Sequence, residues 1–158
     1  MVFPTGDTIF PNTGYLNGNI MAELEKALYL NDGKRLKESL RAYMLTCISC
    51  FDGAAEGFYH GMMLGLVAGM SSRYYIRSNR ESGEGRFDLV LEPREVFMPG
   101  ILMEFKAVKD EAVLAEAAEK ALRQIQDKQY DAKLCSRGIR EIAKYGIAFC
   151  GKKVEIAK

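Results

Sequence analysis

The sequence predicts an α/β domain in which helices cover the faces of a mixed central sheet. Three observations lead there. Two apolar runs, residues 87–91 and 101–108, have the length and composition of neighbouring strands. Residues 111–128 carry Leu114, Ala117, Ala118, Ala121, Leu122 and Ile125 at i, i+3, i+4 spacing, the stripe of a helix packed on one side. Residues 145–150 and 153–156 flank Gly151-Lys152 and read as a hairpin. With a strand at residues 73–78 and a helix before it, the order is α-β-β-β-α-β-β, which calls for a mixed sheet with helical layers.

The N-terminal elements follow from local signals. Pro4, Pro11 and Asn17-Gly18 make residues 1–20 an extended, irregular lead-in. A short helix is expected over residues 21–30, ended by Asn31-Asp32-Gly33. A second, over residues 34–50, has Leu36, Leu40, Tyr43, Met44 and Cys47 on one stripe. Asp52 is the expected N-cap of a third. On that helix Glu56, Tyr59, His60, Met63, Val67 and Met70 share a face, and Gly57, Gly61, Gly65 and Gly69 form a ridge opposite. A helix apolar nearly all round is buried on both sides. Each glycine costs about 0.8–1 kcal/mol of helix propensity relative to alanine. Close approach of another backbone is the expected compensation, from the preceding helix or from a second subunit in a homodimer. A loop from Pro93 to Pro99-Gly100 separates the two apolar strands.

With 158 residues, 48% apolar and 27% charged, the chain suits one globular unit. It divides into a lead-in and helical segment, residues 1–50, and a main domain, residues 51–158. The balance of 22 basic against 21 acidic residues opposes an extended, salt-driven grip on nucleic acid. Affinity then comes from a local basic face or from a partner module. Residues 62–70 are apolar but too short to span a bilayer, and no signal peptide is expected, so the predicted location is cytoplasmic. Cys47-x-x-Cys50 sits in a helical pattern and Cys150 on a distant strand, so Cys47, Cys50, Cys135 and Cys150 read as reduced, buried thiols rather than a zinc site.

The chemistry centres on Asp88, Glu104 and Lys106. Glu104 and Lys106 are two apart, so both leave the face that Leu102 begins, and buried character turns to charge mid-strand. If the two strands pair, Asp88 and Glu104 lie about 5 Å apart. At an effective dielectric of about 20, two carboxylates there repel by roughly 3 kcal/mol. A divalent cation removes that cost, and hard oxygen ligands suit Mg²⁺ or Mn²⁺. Such an ion acidifies water and offsets charge on a scissile phosphate. Lys106 is placed to position the attacking water or stabilise the phosphate charge.

Glu81-Ser-Gly-Glu-Gly-Arg86-Phe-Asp88 followed by Glu104-Phe-Lys106 resembles the PD-(D/E)XK nuclease superfamily. More narrowly, the chain is similar to the nuclease-like domain found C-terminal to AAA-ATPase-like modules. Phe10-Pro11-Asn12, Glu56-Gly-Phe-Tyr-His60, Gln124-Ile125 with Lys128 and Tyr130, and Tyr145-Gly-Ile-Ala-Phe149 extend the resemblance over most of the chain from residue 9. Thr13-Gly14-Tyr15 departs from it, where an acidic residue and a valine are usual. The resemblance implies a restriction-endonuclease-like fold, a metal held by Asp88, Glu104 and the carbonyl of Phe105, and a supporting acid at Glu56. For Glu56 the alternative is complementation of the helix dipole. Gln124 is the candidate for contact with substrate or site, and Lys128 for a phosphate, unless Lys128 only snorkels. Arg86, two residues from Asp88, and Glu81 are the other substrate candidates. Their alternatives are a surface ion pair and a solvated strand-end charge. His60 reads as a hydrogen-bonded core residue, not a general base.

The function expected from these residues is metal-dependent hydrolysis of phosphodiester bonds, in DNA, by an activated water and one or two ions. No covalent intermediate is expected. The alternative is a catalytically silent module of the same fold that binds nucleic acid or an ATPase partner. A nucleotide-binding loop is not expected: there is no Gly-x-x-x-x-Gly-Lys, and Gly83-Glu-Gly85 reads as a turn.

Overall fold

The fold is taken from a computed structural model, described over residues 13–48, 55–78, 88–126 and 130–158. Helix α1 (Thr13–Tyr29) begins well inside the stretch expected to be irregular. Leu24, Ala27 and Leu28 bury its second half in the core. That packed half supplies the costly nucleus, and extension upstream adds one hydrogen bond per residue in spite of Asn17-Gly18. The predicted stop is where it was expected. Asn31 adopts a positive φ of 53°, and Asp32 caps α2 (Gly33–Cys47) by accepting from Arg35 N at 3.0 Å.

Helix α3 (Glu56–Val67) has Ala55 at its N-cap rather than Asp52, which lies outside the described residues. A 3-10 turn, Ala68–Ser72, follows it. Tyr59, His60, Met63, Leu66, Val67 and Met70 are buried, as the spacing predicts. The glycine ridge is not packed as expected. A Cβ built on Gly61 or Gly65 meets nothing within 4 Å, and both glycines are exposed. A Cβ on Gly69 would meet the Glu25 carboxylate at 2.8 Å. The preceding helix α2 packs against the sheet instead, through the core it shares with Met103, Phe105 and Tyr145. Gly61→Ala is therefore expected to stabilise the protein by about 0.5–1 kcal/mol, read from urea denaturation. A second subunit seated on the ridge would reverse that sign.

The sheet has five strands in the order β1 (Tyr74–Ser78), β2 (Leu89–Pro93), β3 (Gly100–Ala107), β4 (Ile142–Cys150) and β5 (Lys153–Ala157). Only β3 and β4 are parallel. A parallel pair needs a long crossover, which α4 (Leu114–Gln126) and α5 (Tyr130–Ser136) supply. Helix α4 fulfils the stripe seen in the sequence. Helix α5 was not foreseen: it is seven residues long, and Leu134 is the residue it buries in the core. The hairpin turns at Gly151, whose φ is 56°.

Each face of the sheet has its own layer. Leu89, Leu91, Ile101, Met103, Phe105, Ile147 and Phe149 pack with α1, α2 and α3 through Leu24, Leu28, Leu36, Leu40, Met44 and Met63. On the other face Val90 and Leu102 meet Ile125, Leu134 and Ile139, and Ala148 meets Leu114, Ala118 and Leu122. Burial on both faces explains why β2 and β3 are continuous apolar runs. This mixed sheet flanked by helices is the restriction-endonuclease-like architecture the resemblance implies.

Gly146 sets the contact between α4 and β4. A Cβ there would lie 2.2 Å from the Ala118 carbonyl oxygen and 2.3 Å from Leu122 N. The helix thus rests on the strand backbone itself. In the parallel register Gly146 is the partner of Glu104, so this contact places α4 beside the charged half of β3.

The described free cysteines depart from expectation. Cys135 is exposed and Cys150 half-buried, because α5 turns the first outward and the second ends its strand. The side chain of Cys47, and Cys50, lie outside what is described. Among the described residues no helix is long and apolar enough to cross a membrane.

Candidate active site at the open end of the sheet

Asp88 stands one residue before β2. The β2–β3 register ends at Leu89↔Met103, and Asp88 N donates to the same Met103 carbonyl at 2.9 Å, which ties Asp88 to β3 just before Glu104 without adding a step to the ladder. Period-two alternation puts Glu104 and Lys106 on the face of Leu102 and α4. The Asp88 carboxylate reaches β3 at the Phe105 N–H, between Glu104 and Lys106 in sequence.

The side chains are held individually. Asp88 Oδ2 accepts from Phe105 N at 2.7 Å, a charge-assisted bond that folds the carboxylate over the β3 backbone. Its Oδ1 lies 3.5 Å from His60 Nδ1. His60 is buried, its Nε2 2.7 Å from Ser78 Oγ and its ring edge-on to Phe105. Nδ1 has no hydrogen-bond partner of its own among the described residues. Glu104 is buried, and Lys106 Nζ donates to its Oε1 at 3.4 Å. His60 of α3 thus touches Ser78 at the end of β1, Asp88 just before β2 and Phe105 on β3, the strand that also carries Glu104 and Lys106.

The remaining predicted residues are placed less tightly. Glu56 is half-buried in the first turn of α3, one turn before His60, and makes no hydrogen bond or ion pair to Asp88 among the described residues. Gln124 lies at the edge of the α4 stripe with its Oε1 buried and without a partner among the described residues. The Phe105 side chain is fully buried, and its backbone is what the site uses. Lys128, Arg86 and Glu81 lie outside the described residues.

Two features were missed from sequence. The contact of His60 with Asp88 was one; its signal was the chain's single histidine on the inward face of α3. The second is Glu92, fully buried on β2 and ion-paired to Arg77 at 3.4 Å and to Arg137. An acid in phase with Val90 on a buried strand was the available hint.

Among the described residues no three His, Cys, Asp or Glu side chains form a ready cluster for a metal. The groups that could hold a divalent ion are the carboxylates of Asp88 and Glu104 and the Phe105 carbonyl. Mg²⁺ commonly takes one or two carboxylates and keeps several waters.

A family model described as the PD-(D/E)XK nuclease superfamily matches residues 54–158, which hold α3, the whole sheet and both crossover helices. No curated protein gives a significant match to the chain.

Proposed function

This chain belongs to the PD-(D/E)XK nuclease superfamily, and from that premise we propose that it is a metal-dependent nuclease hydrolysing phosphodiester bonds in DNA with water as the nucleophile. One observation carries this reading: the Asp88 carboxylate accepts from the backbone N of Phe105 at 2.7 Å, the residue between Glu104 and Lys106, and Lys106 Nζ lies 3.4 Å from Glu104. A folded core has no use for two acids and an ammonium group at one strand end. The donor set also fits a divalent ion in kind, since two carboxylates and a backbone carbonyl are hard oxygen ligands.

A bound Mg²⁺ or Mn²⁺ supplies Lewis-acid charge to the phosphate and acidifies water. The protein's residues do the rest. Phe105 N–H holds Oδ2 of Asp88, and Oδ1 lies 3.5 Å from the buried His60 Nδ1. His60, anchored on Ser78, restrains that oxygen from behind. Lys106 moves between Glu104 and the phosphate, orienting the water and offsetting charge as it develops. Gln124 is the further group with an unspent acceptor for the incoming strand.

The alternative, a silent module of the same fold, is favoured by a different observation: the Asp88–Phe105 and Glu104–Lys106 contacts already pair both acids without an ion. Incubation of supercoiled plasmid and single-stranded DNA with Mg²⁺, Mn²⁺ or EDTA separates the two. Cleavage that needs the cation supports the nuclease. No metal-dependent cleavage of either substrate supports the silent module. His60→Ala is expected to weaken Mn²⁺ binding about 10–100-fold by calorimetry, the usual effect of removing a group that orients a ligand, with partial recovery in His60→Asn.

A further inference from the structure

Strand β1 is the edge of the sheet next to Asp88, and its outward residues are not those of an idle edge. The register pairs Tyr75 with Glu92 and Arg77 with Val90, so Tyr75 and Arg77 lie on the face that carries Glu104 and Lys106. Tyr75 is 44% exposed. The guanidinium of Arg94 lies over its ring, 3.9 Å from the centroid. Arg94 is itself fixed: its Nε donates to the Ser71 carbonyl at 3.1 Å and its backbone N to the Arg73 carbonyl at 2.9 Å. The side chains of Arg77 and Arg137 are 54% and 45% exposed. Both are tethered to the buried Glu92.

A fully buried carboxylate is costly unless paired. Here its partners are two half-exposed guanidinia, each with five N–H donors, of which Glu92 can use only some. Both guanidinia are half-exposed beside that carboxylate and keep donors for phosphate oxygens. Three arginines against one carboxylate leave the patch cationic, although the whole chain carries only +1.

We propose that this β1 edge, formed by Tyr75, Arg94, Arg77 and Arg137, binds a single-stranded segment of nucleic acid and leads it to the Asp88–Glu104 site. The proposal deepens the nuclease reading by naming the strandedness of its substrate, and it rests on that reading for its direction. Arg77 pairs with Val90, two residues along the chain from Asp88. Tyr75 lies two residues, or about 6.6 Å, further along the strand. A strand leaving the site thus passes guanidinia at Arg77 and Arg137 and then an exposed ring backed by Arg94. Such a ring accepts any unpaired base by stacking. In a duplex the base faces are already stacked on one another, so the ring selects single strands.

Fluorescence anisotropy with a labelled oligothymidylate, in EDTA throughout, tests this without any dependence on metal or catalysis. Tyr75→Ala and Arg94→Ala are expected to raise Kd at least about 5-fold, Tyr75→Phe to leave it unchanged, and a duplex of equal length to bind more weakly. Circular dichroism checks that each variant is folded. Unchanged binding in both alanine variants, or no binding by the wild type, overturns the proposal. Equal displacement by polyglutamate, which has charge but no bases, also overturns it. Metal-dependent plasmid cleavage is read separately, so a nuclease without this track and a track without a nuclease give different results.

Discussion

Asp88→Asn is expected to abolish measurable Mn²⁺ binding and to lower metal-dependent cleavage by at least about 100-fold, the scale on which loss of one charge-stabilising group is felt in a transition state. The asparagine oxygen can still accept from Phe105 N, which in the wild type donates to Asp88 Oδ2 at 2.7 Å. The ladder end should therefore hold, and only the charge is lost. Asp88→Ala removes the acceptor as well. It leaves the Phe105 N–H unsatisfied, and the expected further cost is about 1–3 kcal/mol of stability. Calorimetric titration and urea denaturation of the pair separate the metal role of Asp88 from its structural one. A wild type that takes up no Mn²⁺, or an asparagine variant that binds as the wild type does, would contradict the proposed site.

Gly146→Ala is expected to destabilise the fold by about 3 kcal/mol or more, the upper range for overpacking. The new Cβ would fall 2.2 Å from the Ala118 carbonyl oxygen, 2.3 Å from Leu122 N and 2.9 Å from Leu122 Cα. All three are backbone atoms, so no rotamer change relieves the clash, and α4 must lift from β4. Because Gly146 is in register with Glu104, that movement also opens the face on which Glu104 and Lys106 stand. The midpoint of urea unfolding should fall with little change in slope. Activity should fall by more than the unfolded fraction explains. A loss under about 1 kcal/mol would show that the helix does not rest on the strand backbone.

The glycine ridge and Gly146 show how far residue patterns reach. Helical spacing set Gly57, Gly61, Gly65 and Gly69 on one side of one helix, but α3 ends at Val67 and Gly69 falls in the 3-10 turn that follows. It could not say what stands on that side, and at Gly61 and Gly65 nothing in the described structure does. Gly146 is unremarkable in its own strand. Its importance comes from the crossover helix, more than 20 residues upstream in sequence, whose backbone it admits. Likewise α5 was illegible because a seven-residue charged helix has too few buried positions to show a period.

By itself the sequence determined the α/β class, the strands that carry Asp88, Glu104 and Lys106, and the side of β3 from which two of them project. These depend on short-range periodicity and on two strands joined by one loop, where register follows from a few residues. Tertiary structure alone decided that His60 meets Asp88, that Glu92 ties Arg77 to Arg137, and that Tyr75 lies exposed under Arg94. Those contacts join elements distant along the chain. They exist only because burial of both sheet faces brings α3, the crossover and the β1 edge to positions that no local preference encodes.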